Sequence, residues 1–314
     1  MRIAVFGTGG VGGYFGGLLA HGGHEVTFIA RGQQLRAIRE NGLQVKSVNG
    51  DFHVRPAQAT DDPAQVGPVD YVVVAVKHYH LDQAAPAMRP LVGAETTVVP
   101  LLNGVDAHER LIPALGAGAV VGGLCSLVSL VEAPGVIRQE TKLRQVVVGE
   151  LDRSRSERVE RLVQAWAETG AEAIHAEDIH AALWTKLLFI ASFGGVGSLA
   201  RCNMGEMLGA PETRALFIES MKEVEAVARA GGVGLAPDAV AKALAMAEGF
   251  EPNATTSMQR DVADGKPFEL EAFSGTVIRM GEAAGVPTPV HRHFYALLRP
   301  ALARANTPSS LGAV

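Results

Sequence analysis

The stretch MRIAVFGTGGVGGYFGGLLAHGGHEVTFIARG (1–32) decides how the rest of the chain is read. Ile3 to Phe6 form a short apolar run of strand type, and Gly7, Gly9 and Gly12 follow it at once as GxGxxG, with a helix expected from about Val11. A glycine triplet carries little meaning alone, but between a strand and a helix it is the fingerprint of a dinucleotide site. Gly7 permits the tight turn, Gly9 has no Cβ to block a pyrophosphate, and Gly12 lets the helix pack closely on the strand. With Gly10 and Val11 completing the turn, free N–H groups at the helix start can hold an anion. Gly13, Gly16 and Gly17 read as packing positions.

The end of the stretch selects the dinucleotide. A second strand, Val26 to Ile29, runs into Ala30-Arg31, where an NAD site would place an acid for the adenosine ribose. A guanidinium at Arg31 can instead pair with a 2′-phosphate, which points to NADPH; a solvated loop arginine is the plainer alternative. Lys77, just past the strand YVVVAV, is a second candidate for the cofactor crevice.

Composition narrows the function classes. The chain has 314 residues, 47% of them apolar, and a net charge of −5. That length supports two domains and a large core. The charge offers no basic field for nucleic acid, so a small-molecule partner is expected. Cys125 and Cys202 have neither metal-ligand nor CxxC spacing. With no signal-peptide pattern and no uninterrupted apolar run of about 18 residues, the expectation is a reduced, cytoplasmic protein without a membrane span or a metal.

The first half alternates short β-branched runs with helical patterns, as an α/β Rossmann-type domain requires. The runs are Ile3 to Phe6, Val26 to Ile29, Tyr71 to Val76, Thr97 to Leu102 and Val120 to Val131. LQVKSVNGDFHV (43–54) reads as an antiparallel hairpin about Asn49-Gly50. GVIRQETKLRQVVVGE (135–150) reads as a further strand pair, SRSERVERLVQAWAETG as an amphipathic helix, and Ala173 to His175 as a last strand. From Asp178 onward the patterns are helical, with ETRALFIESMKEVEAVARAGG, DAVAKALAMAEG and LEAFSGTVIRMGEAAG each closed by glycine. The expected division is an NADP-binding domain over 1–177 and an all-helical substrate and catalytic domain over 178–314. ANTPSSLGAV (305–314) reads as a frayed tail, and helices such as 211–231 are candidates to pair two copies as a homodimer.

GTGGVGGYFGGLLA, VVVAVK, LLNGV, LWTKLLF, CNMGEML and SMQRDVADGKPFELEAFSG occur in one order along nearly the whole chain. In these blocks the sequence resembles the ketopantoate reductases, also called 2-dehydropantoate 2-reductases. The resemblance implies NADPH-dependent reduction of a 2-keto acid in a cleft between a Rossmann-type and a helical domain. By motif it makes Lys186 of LWTKLLF the proton donor to the keto oxygen and Asn103 of LLNGV a contact of cofactor and lysine. It places Glu269 of FELEAF in the catalytic set, and Ser257 and Asp261 of SMQRD among the substrate residues. The chemistry suits the residue types, because an ammonium stabilises and then protonates the alkoxide that forms when a ketone is reduced. Read from its neighbours alone, Lys186 could equally be a lysine snorkelling from a buried helix. Spacing alone does not separate Glu269 from Glu271.

One departure bears on the substrate. The family pattern K-x-x-x-N-x-x-x-N would put asparagines at 190 and 194, where this chain has Ile190 and Gly194. The loss weakens the case for ketopantoate itself and leaves three readings: a reductase of ketopantoate or a related keto acid, a 2-hydroxyacid dehydrogenase of different substrate, and a cofactor-binding homologue without turnover. His175, His180, His291 and His293 lack metal-site spacing and are expected at the surface.

Overall fold

The computed structural model describes residues 1–307. Two compact units succeed each other along the chain, Met1–Ala182 and the residues from Leu183 onward. In chain order the first unit contains β1 (Arg2–Phe6), α1 (Gly10–His21), β2 (Glu25–Ile29), α2 (Gly32–Asn41), β3 (Leu43–Ser47), β4 (Phe52–Val54) and β5 (Gln58–Thr60). It continues through β6 (Tyr71–Val74), α3 (Leu81–Ala87), β7 (Thr97–Pro100), α4 (Ala107–Leu115), β8 (Gly122–Ala133), β9 (Val136–Gly149), α5 (Glu157–Glu168) and β10 (Glu172–His175).

Five strands form a parallel sheet in the order β5-β2-β1-β6-β7. The order reverses beside β1, so the crevice at the carboxyl ends of β1 and β6 is where an open α/β sheet takes its ligand. Its central strands β1 and β6 are apolar on both faces, as a sheet covered on both sides requires. Ile3 and Val5 of β1 join a core with Tyr14, Phe15, Phe28 and Trp166, while Ala4 and Phe6 join a second core with Val72, Val74 and Val98.

A second sheet runs β10-β9-β3-β4, with β8 antiparallel to β9. Here two expectations are corrected. Val120 to Val131 is not a strand of the parallel sheet: it meets β7 only at its start, through a bridge from Val120 to Val98 and the Val121 N–H donating to the Val98 carbonyl, and the chain then enters β8. Residues 136–149 are one continuous strand rather than a pair, because β9 is long enough to take β3 along its first half and β10 along its second. The hairpin about Asn49-Gly50 forms as β3 and β4. Edge strand β5, only three residues long, gives no sequence signal.

The two sheets explain the glycine-rich helix. A Cβ on Gly16 would lie 2.5 Å from Val5 in the parallel sheet, and one on Gly13 would lie 2.6 Å from Ile137 in the second. A Cβ on Gly17 would press on Phe52, Leu43 and Val45. With sheets on two sides, α1 has no room for side chains along either contact line, and these glycines serve packing.

The second unit is helical throughout its described residues. Helix α6 (Ile179–Ala200) begins in the first unit, and α7 (Met204–Gly209), α8 (Pro211–Ala230), α9 (Ala239–Glu248) and α10 (Ser257–Ala263) follow. A π-helical turn, Glu271–Gly275, leads into α11 (Thr276–Ala284), and α12 (Pro289–Asn306) ends the described chain. Residues 308–314 of the expected tail lie outside the described residues, while Ala305 and Asn306 belong to α12. By length and composition α6 could cross a membrane, but 67% of its most apolar window is buried within the protein, as in a core helix.

Candidate functional site

Residues singled out in the first unit gather at the carboxyl ends of β1, β2, β6 and β7. Gly7 has φ +102°, and a Cβ there would meet the Ala75 carbonyl at 2.9 Å, so only glycine fits the turn. The turn is pinned to the end of β2, since the Gly7 N–H and the Thr8 hydroxyl both donate to the Ile29 carbonyl, at 3.2 and 3.3 Å. From α2, Gln34 holds it as well, donating to the Thr8 carbonyl at 3.0 Å and accepting from the Gly135 N–H at 2.9 Å. At Gly12 a Cβ would collide with the Gly7 carbonyl oxygen, and at Gly10 with Ser129.

Gly9 is different. A Cβ there would meet nothing within 4 Å. Nor does any side chain cap α1, and its first turn, with Gly10, Val11 and Gly12, holds no acid. The positive end of the helix dipole and its N–H donors are thus left for an anion, and the donor set fits a dinucleotide phosphate. Arg31 stands exposed at the N-cap of α2, immediately beyond β2, with no acid in the first turn of that helix. Lys77, also exposed, follows β6, and half-buried Asn103 follows β7.

In the second unit Lys186 lies half-buried on α6, between buried Trp184 and Leu187. Ile190 and Gly194 follow it at i+4 and i+8, on nearly the same helix face. A Cβ on Gly194 would rest 3.5 Å from Met258 and 3.7 Å from the Thr256 hydroxyl, so this face of α6 runs to the residues on either side of Ser257. Ser257 is exposed as the first residue of α10 because a capping box starts the helix there. Thr256 Oγ1 accepts from the Gln259 N–H at 3.1 Å, and Gln259 Oε1 accepts from the Thr256 N–H at 2.8 Å. Such a cap is worth about 1 kcal/mol. Half-buried Asp261 lies one turn further along α10.

The two glutamates that spacing left unresolved have different surroundings. Glu271 accepts from the Tyr295 hydroxyl at 2.6 Å and lies 3.5 Å from the Arg299 guanidinium, tying the π-helical turn to α12. That hydrogen bond, with some burial, raises the Tyr295 pKa. Glu269 is only 7% exposed. The π turn itself, closed by the Gly275 N–H donating to the Leu270 carbonyl, is a local irregularity of the kind common at functional sites.

The histidines depart from expectation. His291 is fully buried, because it shares the apolar stripe of α12 with Phe294, Leu298 and Leu302. Its ring stands 3.2 Å from both the Ser274 hydroxyl and the Ser220 carbonyl, and burial pushes its pKa down to about 4. His180 is half-buried, its ring 5.2 Å from that of His108, and the His175 side chain is 7% exposed. His293 alone of the four is exposed. Among the described residues no group of three His, Cys, Asp or Glu could hold a metal.

A polar pair absent from the sequence reading joins the loops after β6 and β7: His78 Nε2 lies 2.6 Å from Asp106 Oδ1, both buried. Its only sequence trace is that His78 adjoins Lys77 and Asp106 follows Asn103 by three residues.

Comparison with known proteins agrees with this layout. The family profile described as ketopantoate reductase PanE/ApbA matches residues 3–153, and its C-terminal counterpart matches residues 178–301. A 2-dehydropantoate 2-reductase of Mesorhizobium japonicum is 31% identical over 320 residues, covering 95% of this chain and 97% of that one. The oxidoreductase YkpB of Bacillus subtilis is 30% identical, covering 95% and 98%. The crystal structure of 2-dehydropantoate 2-reductase from Geobacter metallireducens superposes with a TM-score of 0.90 at 30% identity, covering 96% of this chain and all of that one. With a parallel-sheet unit built on a glycine turn, a helical unit carrying the lysine and serine blocks, and both family profiles matched in order, the chain belongs to the ketopantoate reductase family of oxidoreductases.

Proposed function

We propose that the protein reduces a 2-keto acid to a 2-hydroxy acid with NADPH, acting on 2-dehydropantoate or a closely related keto acid. In this reading residues 1–177 form the cofactor domain and 178–314 the substrate and catalytic domain of a cytoplasmic enzyme. The observation that carries it is the open, uncapped turn at Gly9 combined with Arg31, rather than an acid, beyond β2. Gly7, Gly9, Gly10, Val11 and Gly12 would hold the pyrophosphate, Arg31 the 2′-phosphate, and Lys77 and Asn103 the remaining length of the dinucleotide.

When bound, the nicotinamide supplies the hydride. This chain supplies the acid: the Lys186 ammonium stabilises the charge that grows on the keto oxygen and then gives it a proton. Glu269 is the carboxylate member of the catalytic set, and Ser257 and Asp261 bind the substrate. Since a helix of apolar residues carries Lys186, the ammonium is costly there unless polar partners surround it, which is the role assigned to these groups.

A specific observation weakens the case for ketopantoate itself over its relatives. Ile190 and Gly194 put no amide on the Lys186 face, and Met258 packs next to Gly194. A buried substrate hydroxyl left without a partner there would cost about 1–3 kcal/mol. The deciding experiment follows NADPH and NADH oxidation with ketopantoate and with 2-ketoisovalerate, which lacks the hydroxyl. Turnover with NADPH and comparable kcat/KM for the two acids is expected. A preference for ketopantoate by several orders of magnitude would refute this reading of Ile190 and Gly194, and no turnover with any 2-keto acid would refute the activity.

A further inference from the structure

We propose that the buried His78–Asp106 pair, clamped by Arg110, is a positioning device that sets the loops carrying Lys77 and Asn103 for the dinucleotide. The inference rests on the proposed cofactor reading and adds residues to it. Val74 and Pro100, the last residues of β6 and β7, are register partners, so the two loops leave the sheet side by side. On one flank the β6 loop is fixed by the glycine turn, where the space for a Gly7 Cβ is filled by Ala75 and Val76 at 2.9 Å.

On the other flank the fixing is polar. His78 Nε2–H donates to Asp106 Oδ1 at 2.6 Å, and Arg110 Nη1 sits against the same ring, 2.9 Å from Nδ1 and 3.1 Å from Nε2, and donates to the His78 carbonyl at 3.4 Å. Arg110 is held in turn by Asp82 on α3, through Nε at 2.9 Å and Nη2 at 2.7 Å. The guanidinium bond holds the Asp82 carboxyl below its usual range. One chain of bonds therefore joins α3, the β6 loop, the β7 loop and α4. Between Asn103 and Asp106 the backbone turns at Gly104, whose φ of +98° fixes how the asparagine stands relative to the anchored aspartate.

Stability alone gives little reason to bury this pair, since apolar residues of similar size at such a place are often as stabilising or more so. What a short, directional bond provides is register: it holds two loops at one separation, which packing of flexible side chains does not. Lys77 is one residue from His78 and Asn103 three from Asp106, so any slip of the pair reaches the cofactor residues directly.

The test compares Asp106→Ala with Asp106→Asn, whose amide oxygen can still accept from His78. Melting by circular dichroism, NADPH affinity by fluorescence titration, and kcat and KM for NADPH are measured on each full-length protein. For Asp106→Ala we expect the KM and Kd for NADPH to rise about tenfold or more, with kcat at saturating NADPH within about threefold and Asp106→Asn restoring most of the affinity. A folded Asp106→Ala that binds NADPH like the unmodified chain overturns the inference. If Asp106→Ala does not fold, His78→Asn, which keeps a polar group but shortens the reach, must show the same rise, and an unchanged KM again overturns it. Failure of the unmodified chain to bind NADPH sinks the cofactor reading first and this inference with it, whereas normal binding by both proteins removes this inference alone.

Discussion

Helices α1 and α6 are both apolar, both contain several glycines and both are largely buried, yet the proposed function uses them in opposite ways. In α1 the glycines take the sheets on two sides, and the free N-terminal backbone faces open space at Gly9. Any ligand there is met by N–H groups, which every residue type supplies. In α6 the glycines take other helices: a Cβ on Gly195 would collide with Phe294 of α12, and one on Gly197 with Gln259 of α10. In the proposed function, what α6 offers to chemistry is one side chain, Lys186, whose meaning depends on residues far away in sequence. A backbone site is written locally in spacing, and a side-chain site is written only in the fold.

The largest expected effect tests the side-chain half of this contrast. Lys186→Ala should lower kcat by about 10²–10⁴-fold with NADPH affinity changed far less, and circular dichroism should show a folded protein. Near-normal turnover by a folded variant would make Lys186 a snorkelling surface lysine and leave α6 with no chemical role.

Next comes the scaffold around α6. His291 on α12 is neutral when folded, its pKa held at about 4 by burial, against about 6.5 when unfolded. The unfolded chain therefore takes up the proton first. The stability is complete above about pH 6.5 and is lost as the pH falls toward 4, by up to about 3 kcal/mol. Melts of the unmodified protein and of His291→Phe between pH 7.5 and 4.5 should show a shallower pH dependence in the variant. Parallel curves would place the acid sensitivity elsewhere, with His108, also held at about 4 by burial, as another group of this kind.

The third prediction returns to α1 and its neighbour strand. Arg31→Ala should weaken NADPH by about 1.5–3 kcal/mol and leave NADH nearly unchanged, as read by titration calorimetry. Equal losses for both nucleotides would take Arg31 out of the 2′-phosphate site.

Smallest, and most discriminating for the backbone half, is Gly9→Ala. Because a Cβ at Gly9 meets no protein atom, the melting temperature should hold, while NADPH affinity falls about tenfold, or roughly 1.4 kcal/mol. Gly12→Ala is its counterpart, since there the Cβ strikes the Gly7 carbonyl and stability itself should drop. A Gly9→Ala protein that binds NADPH normally would show that the phosphate does not sit over that turn.

The sequence by itself determined four of the five strands of the parallel sheet, the glycine turn at its centre, the hairpin about Asn49-Gly50 and the change to helices near residue 178. Each of these rests on short-range patterns: strand runs, a turn pair, i to i+4 spacing and glycine stops. It also placed Arg31, Lys77 and Asn103 just past strand ends, because strand ends are local features. Only the tertiary structure decided that 136–149 is one strand shared by three partners, since pairing depends on strands remote in the chain. Only it set Tyr295 and Arg299, on a helix more than twenty residues away, against Glu271. Burial of His291 and the joining of His78 to Asp106 belong to the same class. Side-chain partners come from the packing of distant segments, and burial, which sets the cost of a polar group and the strength of its bonds, exists only once those segments have met.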